Sequence, residues 1–181
     1  MDLTVEKERI LLEDFFSESR QTLHEYLADR EVYFSNSQLF AFISVSPIAI
    51  AIASDGALDL AEISMLIDLA SYFERDILPK SFDELPQPEN VISNEGFRKI
   101  IYSELKYLCL HMQDLEKPLI KCLHSLIKLD EQLSREQPPK LSIKQKIKDM
   151  MKGVIYNNLG KDVIEEEKIH KVLKQLNLSD E

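Results

Sequence analysis

Glycine is scarce in this chain, with four in 181 residues. That scarcity leaves no room for a glycine-rich phosphate loop of the dinucleotide or P-loop kind. Runs of β-branched residues are also few outside Ile43–Ile52, so an extensive sheet is not expected. There are two cysteines and no basic, apolar leader at the start, and both features predict a reducing, cytoplasmic setting. No Gly-x-Ser-x-Gly or His-Glu-x-x-His motif occurs, and the four histidines, His24, His111, His124 and His170, lie far apart in sequence. The expectation is a non-enzymatic protein.

What is present is helix-forming and acidic. Leu, Ile, Lys and Glu dominate, and hydrophobic residues make up 44% of the chain, enough for a core. The net charge of −10 argues against general nucleic-acid binding. It is unevenly spread: residues 55–95 carry ten acidic and two basic side chains, residues 96–160 seven acidic and twelve basic. This asymmetry fits either internal complementarity or an oriented protein partner, beside the plainer reading of solvated helix faces. The oligomeric state is not legible.

Apolar spacing predicts an all-α domain of about seven helices spanning 1–181. The first helix covers residues 5–30 with Thr4 as its cap and a weak point near Ser17 and Ser19. The second runs from Ser37 to Ala53 within a twenty-residue stretch, Ser35 to Ser54, that holds no charge. Apolar on every face, it should lie at the centre, with Pro47 kinking or breaking it. At about fifteen residues its most apolar window, Leu39–Ala53, is too short for a membrane span, so no integral membrane segment is expected. The third starts at Asp59 and points Ile63, Leu66, Ile67, Ala70 and Phe73 to one side. A proline-bearing loop, residues 77–90, leads to helices at 94–115, 118–135, 142–157 and 164–176, with Pro118 opening the fifth. Shifting the chain by 106 residues lays Ile63, Leu66, Ile67 and Ala70 over Ile169, Val172, Leu173 and Leu176, a faint internal echo.

Three groups of side chains are candidates for chemistry. Cys109-Leu110-His111 and Cys122-Leu123-His124 have the residue types of a zinc site, but residues two apart on a helix point roughly 200° apart. Core cysteines with partly exposed histidines are expected instead. Lys140, Lys144, Lys146, Lys148 and Lys152 line one helix, as a solvated face or a surface for an acidic partner or membrane. The third group is the turn Ser54-Asp55-Gly56-Ala57-Leu58-Asp59-Leu60-Ala61-Glu62. Gly56 can end one helix, Asp59 can cap the next, and Glu62 stands where a capping box needs it. The same Asp55, Asp59 and Glu62 could offer oxygens to a divalent cation, Ca²⁺ or Mg²⁺. Both readings stand on the residues.

The stretch Ala49-Ile50-Ala51-Ile52-Ala53-Ser54-Asp55-Gly56-Ala57-Leu58-Asp59-Leu60-Ala61-Glu62-Ile63 resembles the signature of TerB-like domains. These are the tellurite-resistance TerB family and the similar domain of DjlA-type membrane co-chaperones. Their pattern is an alanine-rich helix, an Asp-Gly turn and a Glu six residues after the Gly. The resemblance covers residues 39–73 and, more faintly, 160–179. It implies an all-helical domain of around seven helices, a divalent metal held by Asp55, Asp59 and Glu62, and a protein partner in a stress- or envelope-linked system. The second turn departs from the pattern: Leu159-Gly160-Lys161-Asp162 has no Asp-Gly pair, and Glu165, Glu166 and Glu167 follow it. No His-Pro-Asp tripeptide of a J domain occurs.

Overall fold

The computed structural model describes residues 3–54, 59–77, 85–89, 91, 94–134, 143–158 and 163–179. All regular structure among them is helical. The helices are α1 (Leu3–Thr22), α2 (His24–Asp29), α3 (Asn36–Ala53), α4 (Leu60–Tyr72), α5 (Asn94–Leu110), α6 (Met112–Ser134), α7 (Ile143–Asn158) and α8 (Val163–Gln175). A π-helical turn, Phe73–Ile77, extends α4.

The uncharged α3 is the axis of the bundle. Its start is set by a reciprocal capping box. The Gln38 N–H donates to Ser35 Oγ at 3.2 Å, and the Ser35 N–H donates to Gln38 Oε1 at 2.9 Å. Every residue from Gln38 to Ile52 is buried, as a helix apolar all round requires. Helices α4, α5, α6, α7 and α8 pack around it. Among the described residues α3 is the helix long and apolar enough to cross a membrane, yet 89% of it is buried inside the bundle. Its aromatic side chains are covered too: Phe42 stacks on Tyr26 at 5.5 Å and meets Phe34 at a tilt at 5.3 Å, and Phe40 meets Phe73 edge-on at 6.0 Å.

Pro47 does not break α3. Its missing N–H would leave the Ile43 carbonyl bare in the core. The Ser46 hydroxyl donates to that carbonyl at 2.6 Å, and the helix continues. Ser46 therefore supplies locally what proline removes.

Three other boundaries fall elsewhere than the spacing predicts. The first helix already includes Leu3, which puts Thr4 inside its first turn, and it divides at Leu23, beyond Ser17 and Ser19. Buried Leu12, Phe15, Phe16 and Ser19 belong to α1, Tyr26 to α2. The break between α5 and α6 is at His111, so Pro118 sits inside α6 rather than opening a helix. The division of the first helix makes eight helices among the described residues where the sequence suggests seven. Of the long loop, residues 78–84 and 90 lie outside the described residues. Its remainder is tied to α3: Asn36 N–H donates to Gln87 Oε1 at 2.9 Å, and Asn36 Nδ2 donates to the Pro86 carbonyl at 3.2 Å. Both members of the internal echo, α4 and α8, pack on α3.

Candidate functional site

The acidic turn joins α3 to α4. Asp55, with Gly56, Ala57 and Leu58, lies outside the described residues. The other two candidate ligands are helix-capping groups. Asp59 is extended, with φ −90° and ψ 139°, and its Oδ1 accepts the Ala61 N–H at 2.7 Å. Glu62 reaches back, its Oε2 accepting the Asp59 N–H at 3.1 Å. Two N–H groups that the helix leaves unpaired are thereby satisfied. Glu62 is half-buried beside α5, where burial, and then the Glu62 charge, hold the Cys109 thiol protonated. Among the described residues no three His, Cys, Asp or Glu side chains converge as a metal site would need. The second turn, at Gly160–Asp162, lies outside the described residues, as does the Glu165 side chain.

The Cys-x-His pairs separate as helix geometry demands. Cys122 is buried and Cys109 half-buried, whereas His111 and His124 face solvent. The Cys109 thiol is 3.8 Å from the Ala49 carbonyl and fastens α5 to α3. Burial pushes both thiols up to about 12, so neither is a nucleophile at neutral pH. On α7, Lys144 pairs with Glu131 at 3.5 Å, and Lys146, Lys148 and Lys152 also have partners. Lys140 lies outside the described residues.

Sequence spacing missed a concavity at the helix breaks. It has a volume of about 900 Å³ and opens between the α1–α2 break and the α5–α6 break. Each break carries a histidine, His24 and His111, separated by 87 positions and brought to one cleft. Beneath the cleft is a buried ionic network. Glu104, only 4% exposed, takes the Tyr26 hydroxyl on Oε2 at 2.8 Å. The Arg30 guanidinium donates to both of its oxygens at 3.0 Å. Burial, and then the Glu104 charge, raise the Tyr26 hydroxyl far above the ordinary tyrosine range, and the bond to Glu104 raises Arg30. Tyr26 is therefore a fixed donor. Arg30 also lies 4.2 Å from the Tyr107 ring centre, and Tyr107 stacks on His111 at 4.1 Å. The column of Arg30, Tyr107 and His111 makes a rigid wall. No signal in the sequence marked the cleft, since apolar spacing carries His24 and His111 inside the helices expected at 5–30 and 94–115.

A second, smaller hollow of about 290 Å³ adjoins the first through His24. Leu27, Val32, Phe34, Leu39 and Pro88 make it apolar. Arg20 is at its edge, with its guanidinium committed to Asn36 Oδ1 at 2.8 Å and the Phe34 carbonyl at 3.0 Å. The turn after α2 builds this hollow. Glu31 is in the left-handed region at φ 52°, and Val32 N–H and Glu31 N–H close back on the Leu27 and Ala28 carbonyls at 3.0 and 3.1 Å.

No family model, curated protein or solved structure matches the chain.

Proposed function

We propose that the chain is a non-enzymatic, TerB-like helical module that binds a protein partner, with its acidic turn serving as a helix cap. The TerB-like reading rests on the quoted residues of 39–73, and the all-helical bundle around α3 is the architecture that reading requires. The partner reading is carried by one observation. Two helix breaks open a preorganised cleft that adjoins an apolar hollow, on a framework held by the Tyr26–Glu104–Arg30 network. Concave, partly apolar sites with a few fixed polar groups are where proteins bind ligands and partner side chains. The two cysteines and the lack of a basic, apolar leader support a reducing, cytoplasmic setting for it, and the TerB resemblance a stress- or envelope-linked system.

The reciprocal cap favours a structural role for Asp59 and Glu62 over a Ca²⁺ or Mg²⁺ site, because each accepts a backbone N–H. The partner reading is tested by placing a photo-crosslinking amino acid at His24, in the cleft, and at Lys128, on α6, in cells that express the protein. A discrete crosslinked protein from His24 and none from Lys128 supports it. Equal or absent crosslinking from both positions overturns it.

A further inference from the structure

We propose that the cleft and the adjoining hollow form one docking site for a partner segment in which a basic side chain neighbours an apolar one. This rests on the partner-binding reading above and adds the chemistry of the segment. Charge is the first support. Glu25, Asp29 and Asp114 rim the cleft, and among the described residues no Lys or Arg side chain lines it. Three acids elsewhere are paired: Asp68 with Arg98, Glu116 with Lys168, Glu131 with Lys144. Among the described residues no ion pair engages the three rim carboxylates. The Arg30 guanidinium is taken up by its two bonds to Glu104, and Arg20, at the edge of the hollow, by Asn36 and the Phe34 carbonyl. Like charges around a walled concavity concentrate and orient cations.

Shape and polarity are the second support. The apolar hollow shares His24 with the cleft, so an apolar side chain seated against Leu27 and Val32 places its neighbours over the acidic rim. The Tyr107–His111 stack that lines the cleft is held against Arg30 before binding, which lowers the ordering cost. A lone amine would leave the hollow unfilled, and a purely apolar segment would leave three charges beside a desolvated surface.

The probes are three fluorescein-labelled peptides of alternating composition: leucine with arginine, leucine with glutamate, and serine with arginine. Each is titrated into the full chain by anisotropy and by amide NMR. The leucine–arginine peptide is expected to bind at least about tenfold more tightly than either other, with shifts centred on His24, Asp29 and His111. Asp29→Asn with Asp114→Asn should weaken it by about tenfold. Asp68→Asn with Glu131→Gln removes the same charge elsewhere and should leave affinity unchanged. Equal weakening by the second pair would mean that the peptide reads only net charge, and overturns the proposal. Shifts away from the cleft, or equal binding of the serine–arginine peptide, overturn it too. So does self-association through this face in sedimentation, lost in Asp29→Asn, because the occupant would then be a second copy. If His24 crosslinks a partner but the leucine–glutamate peptide binds best, the chemistry proposed here fails and the partner reading stands.

Discussion

Single residues in this chain do work that their neighbours create. Glu31 occupies the left-handed position that ends α2, where a side chain with a Cβ is disfavoured and glycine is not. Asn177, at φ 56°, fills the equivalent position after α8, with Leu178 N–H on the Leu173 carbonyl at 2.8 Å. Glu31→Gly should therefore stabilise the fold by about 1 kcal/mol in urea denaturation, since an L-residue in that region costs roughly 1–2 kcal/mol. Asn177→Gly should gain less, because asparagine tolerates the conformation. At the acidic turn, Asp59→Ser should be nearly neutral and Asp59→Ala should cost about 1 kcal/mol, as expected for a cap. Thermal melts with EDTA, Ca²⁺ and Mg²⁺ should coincide. A rise in Tm with either ion that is smaller in Asp55→Asn and Asp59→Ser would establish the cation site instead.

At the scale of elements, α3 shows how a helix tolerates proline at the centre of a core. The Ile43 carbonyl depends on the Ser46 hydroxyl because Pro47 has no N–H to offer. Ser46→Ala should cost about 1–3 kcal/mol, the penalty for a buried acceptor left unsatisfied. Pro47→Ala restores a backbone donor at the same place, so Ser46→Ala should be much cheaper in that background. A double-mutant cycle measures this, and additive losses would refute the account. Similarly, α7 is started by a residue of another helix. Buried Asp130 of α6 accepts the Lys144 N–H on Oδ2 at 3.1 Å, at the positive end of the α7 dipole.

For the whole molecule, burial sets the response to alkali. The thiols of Cys109 and Cys122 have an ordinary value near 9.0 and are raised to about 12 by burial. A raised value means that the folded state holds the proton more tightly than the unfolded one. The stabilisation is complete below about pH 9 and is lost as the pH climbs towards about 12. Tyr26, shifted in the same direction, adds to the loss. Urea midpoints should stay flat to about pH 9 and then fall, and the fall should be shallower in Cys109→Ala with Cys122→Ala. The Glu104 network ties α2 to α5 across the bundle. Glu104→Ala would leave the buried Tyr26 hydroxyl without its acceptor while partly exposed Arg30 turns to solvent, a loss of about 1–3 kcal/mol.

The sequence by itself determined that the chain is helical, where its axis lies and which faces turn inward. Those properties follow from local spacing, since Ile63, Leu66, Ala70 and Phe73 share one side of a 3.6-residue repeat wherever the helix is placed. The Asp59–Glu62 cap was legible for the same reason, because both partners lie within one turn. Proline misplaced a helix start at position 118, and at 47 it did not end the helix, because Ser46 supplies a donor that a single residue type does not announce. Only the tertiary structure decided that His24 and His111 share a cleft and that Glu104 meets Tyr26 and Arg30. It likewise decided that Glu25, Asp29 and Asp114 stand around one cleft that no Lys or Arg lines among the described residues. These groups are separated by tens of residues, and nothing in local spacing encodes which helix ends meet. That is set by how α1, α2, α5 and α6 close over a fully apolar α3, where burying the greatest apolar area fixes the register of the surface above it.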